Sequence, residues 1–155
     1  MATEFEFIWP TDRPALTLLT TPEWLELSKA VLTELGYKVH CPETHEEFIS
    51  QFGQVNYQVV IAETLFAANA PSQNLSLLTL QRMSMNTRRH AVVLLIGEPF
   101  QTLNAMHAFQ QSVHAVIHPR DLPSLSQIVQ QVFEENNQRL AVFRDTELSI
   151  AKGKL

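Results

Sequence analysis

Short apolar runs without polar alternation recur along the chain and predict buried β-strands. The clearest runs cover residues 59–62 and 91–96, and consecutive apolar side chains are expected where both faces of a strand are covered. Weaker runs of the same kind cover residues 16–19, 37–40 and 115–117. The pattern therefore predicts five strands, in a sheet that has helices on both faces.

The segments between these runs carry apolar residues at helical spacing. The first predicted helix starts with Pro22 after the N-cap candidate Thr21 and ends at Gly36. The second opens with a capping box formed by Thr44 and Glu47. Apolar stripes predict three more helices, in segments 75–83, 102–109 and 125–133. Strands that alternate with helices in this way predict an α/β fold with a doubly wound parallel sheet and right-handed crossovers.

The two ends of the chain lie outside these five strand–helix units. Residues 1–14 are predicted to be an N-terminal extension and residues 15–137 the folded domain. Residues 138–155 are predicted to be a C-terminal helical extension or tail, with Leu140 and Phe143 as apolar positions beyond what the domain needs. Whether this segment continues the last helix or is only partly ordered is left open by the pattern.

Composition and charge narrow the functional classes. The 155 residues are 45% hydrophobic and 17% charged, which fits one globular domain. The net charge of -5 argues against nucleic-acid binding, which needs clustered Lys and Arg. No apolar run reaches the roughly 18 residues that span a bilayer, so no membrane contact is expected. With a single cysteine, Cys41, and no signal peptide, we expect a soluble cytoplasmic protein.

Several stretches, taken in order, resemble the receiver domain of bacterial two-component response regulators. These are LLTTPE at 18–23, LGYKV at 35–39, YQVVIAE at 57–63, NTRRHAVVLL at 86–95 and IHP at 117–119. The resemblance runs from about Ala15 to Phe133. It implies the CheY-like receiver fold, a flavodoxin-like α/β architecture with five parallel strands in the order 2-1-3-4-5.

The resemblance also implies which positions would carry phosphoryl chemistry. Receivers have an acceptor Asp after the third strand, an acid pair after the first strand that holds Mg²⁺, a Thr or Ser after the fourth strand, and a Lys-Pro pair after the fifth. In this chain the corresponding positions hold Glu63 for the acceptor, Leu19, Thr20 and Thr21 for the acid pair, Ile96 for the Thr or Ser, and His118 and Pro119 for the Lys-Pro pair. Glu is a poor substitute for Asp in a pocket that depends on position. The resemblance therefore implies a degenerate receiver without phosphorylation, catalytic residues, metal or cofactor.

Two interpretations of Glu63 are open. Its carboxylate either mimics a phosphorylated aspartate, with His118 drawn toward the charged form, or it is a solvated group at a strand end with nothing to hold it. We favour the solvated carboxylate. The sequence also leaves open whether the His118–Pro119 bond is cis.

Histidine and cysteine positions do not predict a metal site or an enzyme. His114 and His118 flank a predicted strand and would lie about 13 Å apart, too far to share an ion. Cys41 is followed by Glu43, Glu46 and Glu47 rather than by the basic neighbours that activate a thiol. We expect no metal site and no catalytic activity.

The predicted function is a non-phosphorylated, receiver-like signalling module that binds a protein partner or a second copy of itself. The resemblance implies contact through helix 4, strand 5 and helix 5, with Met106, Phe109, Phe133, Leu140 and Phe143 on that surface. No DNA-binding or catalytic output domain is expected to follow. Two alternatives are open: a small-molecule sensor that uses the crevice at the strand ends, and an atypical receiver that is still phosphorylated on Glu63 or another acid.

Overall fold

Strands and helices alternate along the chain in the computed structural model, which describes residues 12–83, 91–151 and 153. The strands are β1 (Arg13–Leu18), β2 (Tyr37–His40), β3 (Val59–Glu63), β4 (Val92–Ile96) and β5 (Ala115–Ile117). The α-helices are α1 (Pro22–Glu34), α2 (His45–Gln54), α3 (Leu75–Arg82), α4 (Ala105–Gln111) and α5 (Leu125–Ala151). Short 3₁₀ helices, Pro71–Gln73 and Pro119–Ser124, precede α3 and α5. Residues 1–11 of the predicted N-terminal extension lie outside the described residues.

The five strands form one parallel sheet in the order β2-β1-β3-β4-β5, which confirms the predicted fold. Successive side chains alternate between the two faces of the sheet. Val59 and Ile61 face the layer formed with α1 and α5. Val60 and Ala62 face the layer formed with α2, α3 and α4. Because both faces are covered, β3 and β4 are buried at every position, as their unbroken apolar runs predict.

Helix boundaries agree with the predicted signals at α1 and α2 but not at α4. Gly36 follows α1 with a φ of 93°, a backbone conformation that favours glycine, and the Thr44 hydroxyl accepts from the Glu47 N–H at 3.1 Å to start α2. The prediction of a fourth helix from Thr102 is wrong by three residues, because α4 begins at Ala105. The intervening Leu103 has a φ of 61°, which is incompatible with an α-helix.

The last helix resolves the alternative that the pattern left open. α5 runs for 27 residues from Leu125 to Ala151, so residues 138–151 of the predicted extension continue the helix. At about 1.5 Å per residue it is roughly 40 Å long. Among the α5 residues whose burial is described, Val132 is the last buried side chain, whereas Val142 and Ile150 are exposed. None of the described helices has both the length and the apolar character to cross a membrane.

Candidate functional site

The carboxyl ends of β1 and β3 bring Glu63 against the turn that leads from β1 into α1. Leu18 at the end of β1 is paired with Ala62 of β3, so the next residue of β3, Glu63, lies beside the start of that turn. The Glu63 side chain is only 4% exposed. The acceptor-equivalent position of the sequence comparison is therefore a buried carboxylate.

Three donors converge on the Glu63 carboxylate. Oε1 accepts from the backbone N–H groups of Thr20 and of Thr21, the latter at 2.8 Å, and Oε2 accepts from the Thr21 hydroxyl at 2.8 Å. The expectation of a solvated Glu63 with nothing to hold it is therefore wrong. The turn between β1 and α1 wraps around the carboxylate, and the nearby N-terminus of α1 favours negative charge.

The same turn is also tied to the loop that follows β3. The Thr20 hydroxyl accepts from the Ala67 N–H at 2.8 Å. Thr21 is the N-cap residue of α1, yet its side chain makes no cap hydrogen bond because its hydroxyl donates to Glu63. Two of the pocket positions singled out from the sequence, Thr20 and Thr21, thus lie together with Glu63.

A buried amide, Asn74, fixes the end of β3 from the other side. Asn74 is fully buried, and its Nδ2 donates to the carbonyls of Glu63 at 3.0 Å and Thr64 at 3.1 Å. Its Oδ1 accepts from the Leu77 N–H at 3.1 Å and so caps α3. Asn74 is not among the site positions predicted from the sequence, although an Asn directly before an apolar helical stripe is a typical N-cap signal.

The remaining pocket positions make none of the hydrogen bonds described for the Glu63 carboxylate, although Ile96 is paired with Glu63 between β3 and β4. Leu19 is buried in the α1–α5 layer, and Ile96 is fully buried beside Ile117. His118 Nδ1 accepts from the Arg120 N–H at 3.0 Å, and the His118–Pro119 bond is trans. Among the described residues, the hydrogen bonds of the Glu63 carboxylate run to Thr20 and Thr21 and do not include His118.

Close packing fills the crevice between the ends of β3 and β4. A Cβ added to Gly97 would lie 2.8 Å from the Phe100 ring and 3.0 Å from the Thr64 methyl group. A side chain at position 97 would therefore force the Phe100 ring or the Thr64 side chain to move. A cavity of about 350 Å³ lies instead at the opposite end of these strands, between α2 and α3, and is lined by residues that include Phe48, Phe52, Tyr57 and Ala91.

The residues predicted to form the partner contact lie on different parts of the structure. On α4, Met106 is 62% and Phe109 81% exposed. Phe133 on α5 is half-buried and packs edge-on against Tyr37 of β2, with ring centroids 6.3 Å apart, so it is not grouped with them. Leu140 is half-buried on the outer part of α5, and the side chain of Phe143 lies outside the described residues.

Metal-ligating and nucleophilic groups are dispersed. Within the ranges that the structure describes, no three His, Cys, Asp or Glu side chains come close enough to hold a metal ion. Partial burial raises the pKa of the Cys41 thiol above its usual value. A raised pKa reduces the thiolate fraction that a nucleophile requires.

Comparisons with known proteins identify the fold. No protein-family model matches the chain, and no curated protein matches its sequence. A Chloroflexus aurantiacus protein assigned as a response regulator superposes with a TM-score of 0.63 at 14% identity, covering 80% of this chain and 99% of that one. A signal receiver domain from Vibrio parahaemolyticus gives 0.62 at 14% identity, covering 84% and 97%. An orphan response regulator of H. pylori gives 0.58 at 16% identity, covering 78% and 96%. The chain therefore has the CheY-like receiver fold.

Proposed function

We propose that this protein is a receiver-like signalling module that takes no phosphoryl group and acts by binding another protein. The observation that carries the proposal is the state of Glu63. The side chain at the acceptor-equivalent position is buried. Its Oε1 accepts from the N–H groups of Thr20 and Thr21, and its Oε2 accepts from the Thr21 hydroxyl. A phosphodonor would have to displace these donors to reach the carboxylate.

Among the described residues, the positions that would serve phosphoryl transfer hold side chains poorly suited to it. Mg²⁺ is bound through carboxylates together with phosphate oxygens, and it neutralises the charge of the transferring group. Thr20 and Thr21 stand where the resemblance implies an acid pair, and both use their N–H groups to hold Glu63. The Ile96 side chain is apolar, and His118 accepts a hydrogen bond from its own turn. These features support a module that works without phosphorylation.

The proposal is tested by offering the full chain a phosphodonor. The protein is incubated with acetyl phosphate and Mg²⁺, and separately with beryllofluoride and Mg²⁺, beside a receiver domain that is known to be phosphorylated. We expect no added phosphoryl mass and unchanged amide NMR shifts at Thr20, Thr21 and Thr64, whereas the second protein responds.

A mass increase in this protein would overturn the proposal. The variant Glu63→Ala then locates the modification: loss of the added mass in Glu63→Ala assigns it to Glu63, and its persistence assigns it to another acid. Either result would support the atypical, phosphorylated receiver.

The exposed apolar side chains of α4 support protein binding as the mode of action. Met106 and Phe109 lie one helical turn apart and are both largely exposed. Large apolar side chains that adjoin at a surface are typical of protein contact sites. We assign the partner-binding surface to α4, with a protein partner or a second copy as the occupant.

The cavity between α2 and α3 favours a second candidate, a small-molecule sensor. Its volume of about 350 Å³ and its aromatic lining fall within the usual range of ligand sites. This position differs from the strand-end crevice expected from the sequence. A thermal-shift screen with small apolar ligands tests it: a ligand that raises Tm in the wild type but not in Phe52→Ala would support this function.

A further inference from the structure

Helix α4, which carries Met106 and Phe109, has few contacts of its own to fix its position. It is 7 residues long, and Ala108 is its only buried residue. A helix this short is unstable without outside contacts. Its C-terminal end is held by Gln81 of α3, whose Nε2 donates to the Gln111 carbonyl at 2.9 Å. Its N-terminal end depends on the loop that leads from β4.

That loop is attached to β5 and to the turn that follows it. The Gly97 N–H donates to the Ile117 carbonyl at 3.0 Å, and the Leu103 N–H donates to the Val116 carbonyl at 2.9 Å. Leu103 adopts a left-handed conformation with a φ of 61°, which is unfavourable for a non-glycine residue. The strained residue lies directly before Asn104, whose side chain caps α4 through the His107 N–H.

One hydroxyl connects the loop to the 3₁₀ helix before α5. Thr102 Oγ1 donates to Asp121 Oδ2 and accepts from the His118 N–H at 2.9 Å. Hydrogen bonds to a charged acceptor contribute more than neutral ones. Asp121 is itself held by its N–H, which donates to the His118 carbonyl at 2.9 Å.

We propose that Thr102 and Asp121 form a built-in latch that fixes the start of α4 and therefore the position of Met106 and Phe109. The latch holds Leu103 in its strained conformation and needs no phosphoryl group. The latch rests on the proposed function in one respect only, the role of the α4 surface in binding a partner. Thr102 and Asp121 are positioning residues, because they act through the loop and not on a ligand.

Hydrogen exchange of the backbone amides in the full chain tests the latch. Thr102→Val keeps the size of the side chain and removes the hydroxyl. We expect exchange at Leu103, His118 and His107 to become at least about fivefold faster, as follows from losing roughly 1 kcal/mol of local stability. Exchange at Thr20 and Thr21 should not change, and Thr102→Ser should restore wild-type rates.

Thr79→Val is the matched control. The Thr79 hydroxyl donates to the Leu75 carbonyl within α3, so its removal should leave the exchange of Leu103 and His118 unchanged. Wild-type exchange rates at Leu103 and His118 in Thr102→Val would overturn the latch. If Thr102→Val does not fold, Asp121→Asn replaces the charged acceptor by a neutral one. Faster exchange at Leu103 in Asp121→Asn then supports the latch, and unchanged exchange overturns it.

The two proposals fail in different experiments. Phosphorylation of the wild type would overturn the proposed function, and the hydrogen-exchange test of the latch would be unaffected. Unchanged exchange in Thr102→Val would overturn the latch and leave the response to acetyl phosphate untouched.

Discussion

At the scale of single residues, Glu63 is a buried polar group that connects the end of β3 to the turn after β1. A buried carboxylate without partners would be strongly unfavourable, and here the donors come from residues 42 and 43 positions earlier in the chain. The carboxylate therefore stabilises the contact between the end of β3 and the turn after β1, as well as occupying the acceptor-equivalent position.

Glu63→Gln should destabilise the protein by about 1–3 kcal/mol, because the two backbone N–H groups then donate to a neutral amide oxygen instead of a carboxylate, and the Thr21 hydroxyl must accept from the new NH₂ group. Chemical denaturation with urea measures this free energy of unfolding. Glu98→Gln, at an exposed position after β4, is the control and should have little effect. Equal stability of Glu63→Gln and wild type would show that the negative charge of Glu63 does not strengthen the three contacts.

Cys41 predicts a loss of stability in mild alkali. Burial raises its pKa in the folded protein above the unfolded value of about 8.5. The native state then keeps a proton that the unfolded state loses. The contribution of the thiol to the free energy of unfolding is therefore complete below about pH 8 and declines as the pH rises toward the folded pKa. Burial also raises the pKa of Tyr57 and Tyr37, which extends the decline above about pH 10.

Urea denaturation at several pH values between 7 and 9.5 measures how the free energy of unfolding depends on pH. We expect the free energy of unfolding of the wild type to fall over this range, and Cys41→Ala to show a flatter profile. Parallel profiles for the two proteins would contradict a buried, proton-retaining thiol.

At the scale of secondary-structure elements, the strands were more predictable than the contacts between them. β3 and β4 follow directly from unbroken apolar runs. The start of β1 at Arg13 was missed because a charged residue interrupts the apolar signal. In the fold, the Arg13 guanidinium lies 4.2 Å from the centre of the Tyr37 ring, which allows a cation inside the strand. That contact depends on residues 24 positions apart.

Asn74 joins the end of β3 to the start of α3, and two substitutions separate its two roles. Asn74→Asp keeps the oxygen that caps α3 but loses the amide that donates to the carbonyls of Glu63 and Thr64. Asn74→Ala loses both. We expect Asn74→Ala to lower the free energy of unfolding by about 2–4 kcal/mol, from a buried site with three hydrogen bonds.

Urea denaturation, with far-UV circular dichroism to report helix content, compares the two variants. Thr44→Ala, which removes the cap of α2 at an exposed position, is the matched control and should cost about 1 kcal/mol. A smaller loss for Asn74→Ala than for Thr44→Ala would show that the contacts to β3 do not contribute.

At the scale of the whole molecule, the sheet order was predictable and the candidate site was only partly so. Alternating units and right-handed crossovers restrict the topology, and the observed order agrees with the resemblance. The sequence identified Glu63, Thr20 and Thr21 but not their hydrogen bonds, because local patterns carry no information about partners that are distant in the chain. Asp121 was missed for the same reason, since its partner Thr102 is 19 positions away.

The α4 surface predicts an effect on association without an effect on stability. Phe109 is 81% exposed, so Phe109→Ser should change the free energy of unfolding by less than about 0.5 kcal/mol. If a second copy is the partner, we expect concentration-dependent association of the wild type in light scattering, weakened at least about tenfold in Phe109→Ser. Gln110→Ala, at an exposed neighbouring position, is the control. Equal association of Phe109→Ser and wild type would exclude α4 as the contact.

Because α5 is one continuous helix from Leu125 to Ala151, the rotation of its far end about the helix axis is fixed relative to the sheet. Each residue of an α-helix advances by about 1.5 Å and turns by about 100°. Inserting one residue after Asn137 would therefore swing the outer segment around the helix axis, while inserting seven would return it to within about 20° of its original direction. The direction in which the outer part of α5 presents its side chains is thus set by the number of helical residues between it and the sheet.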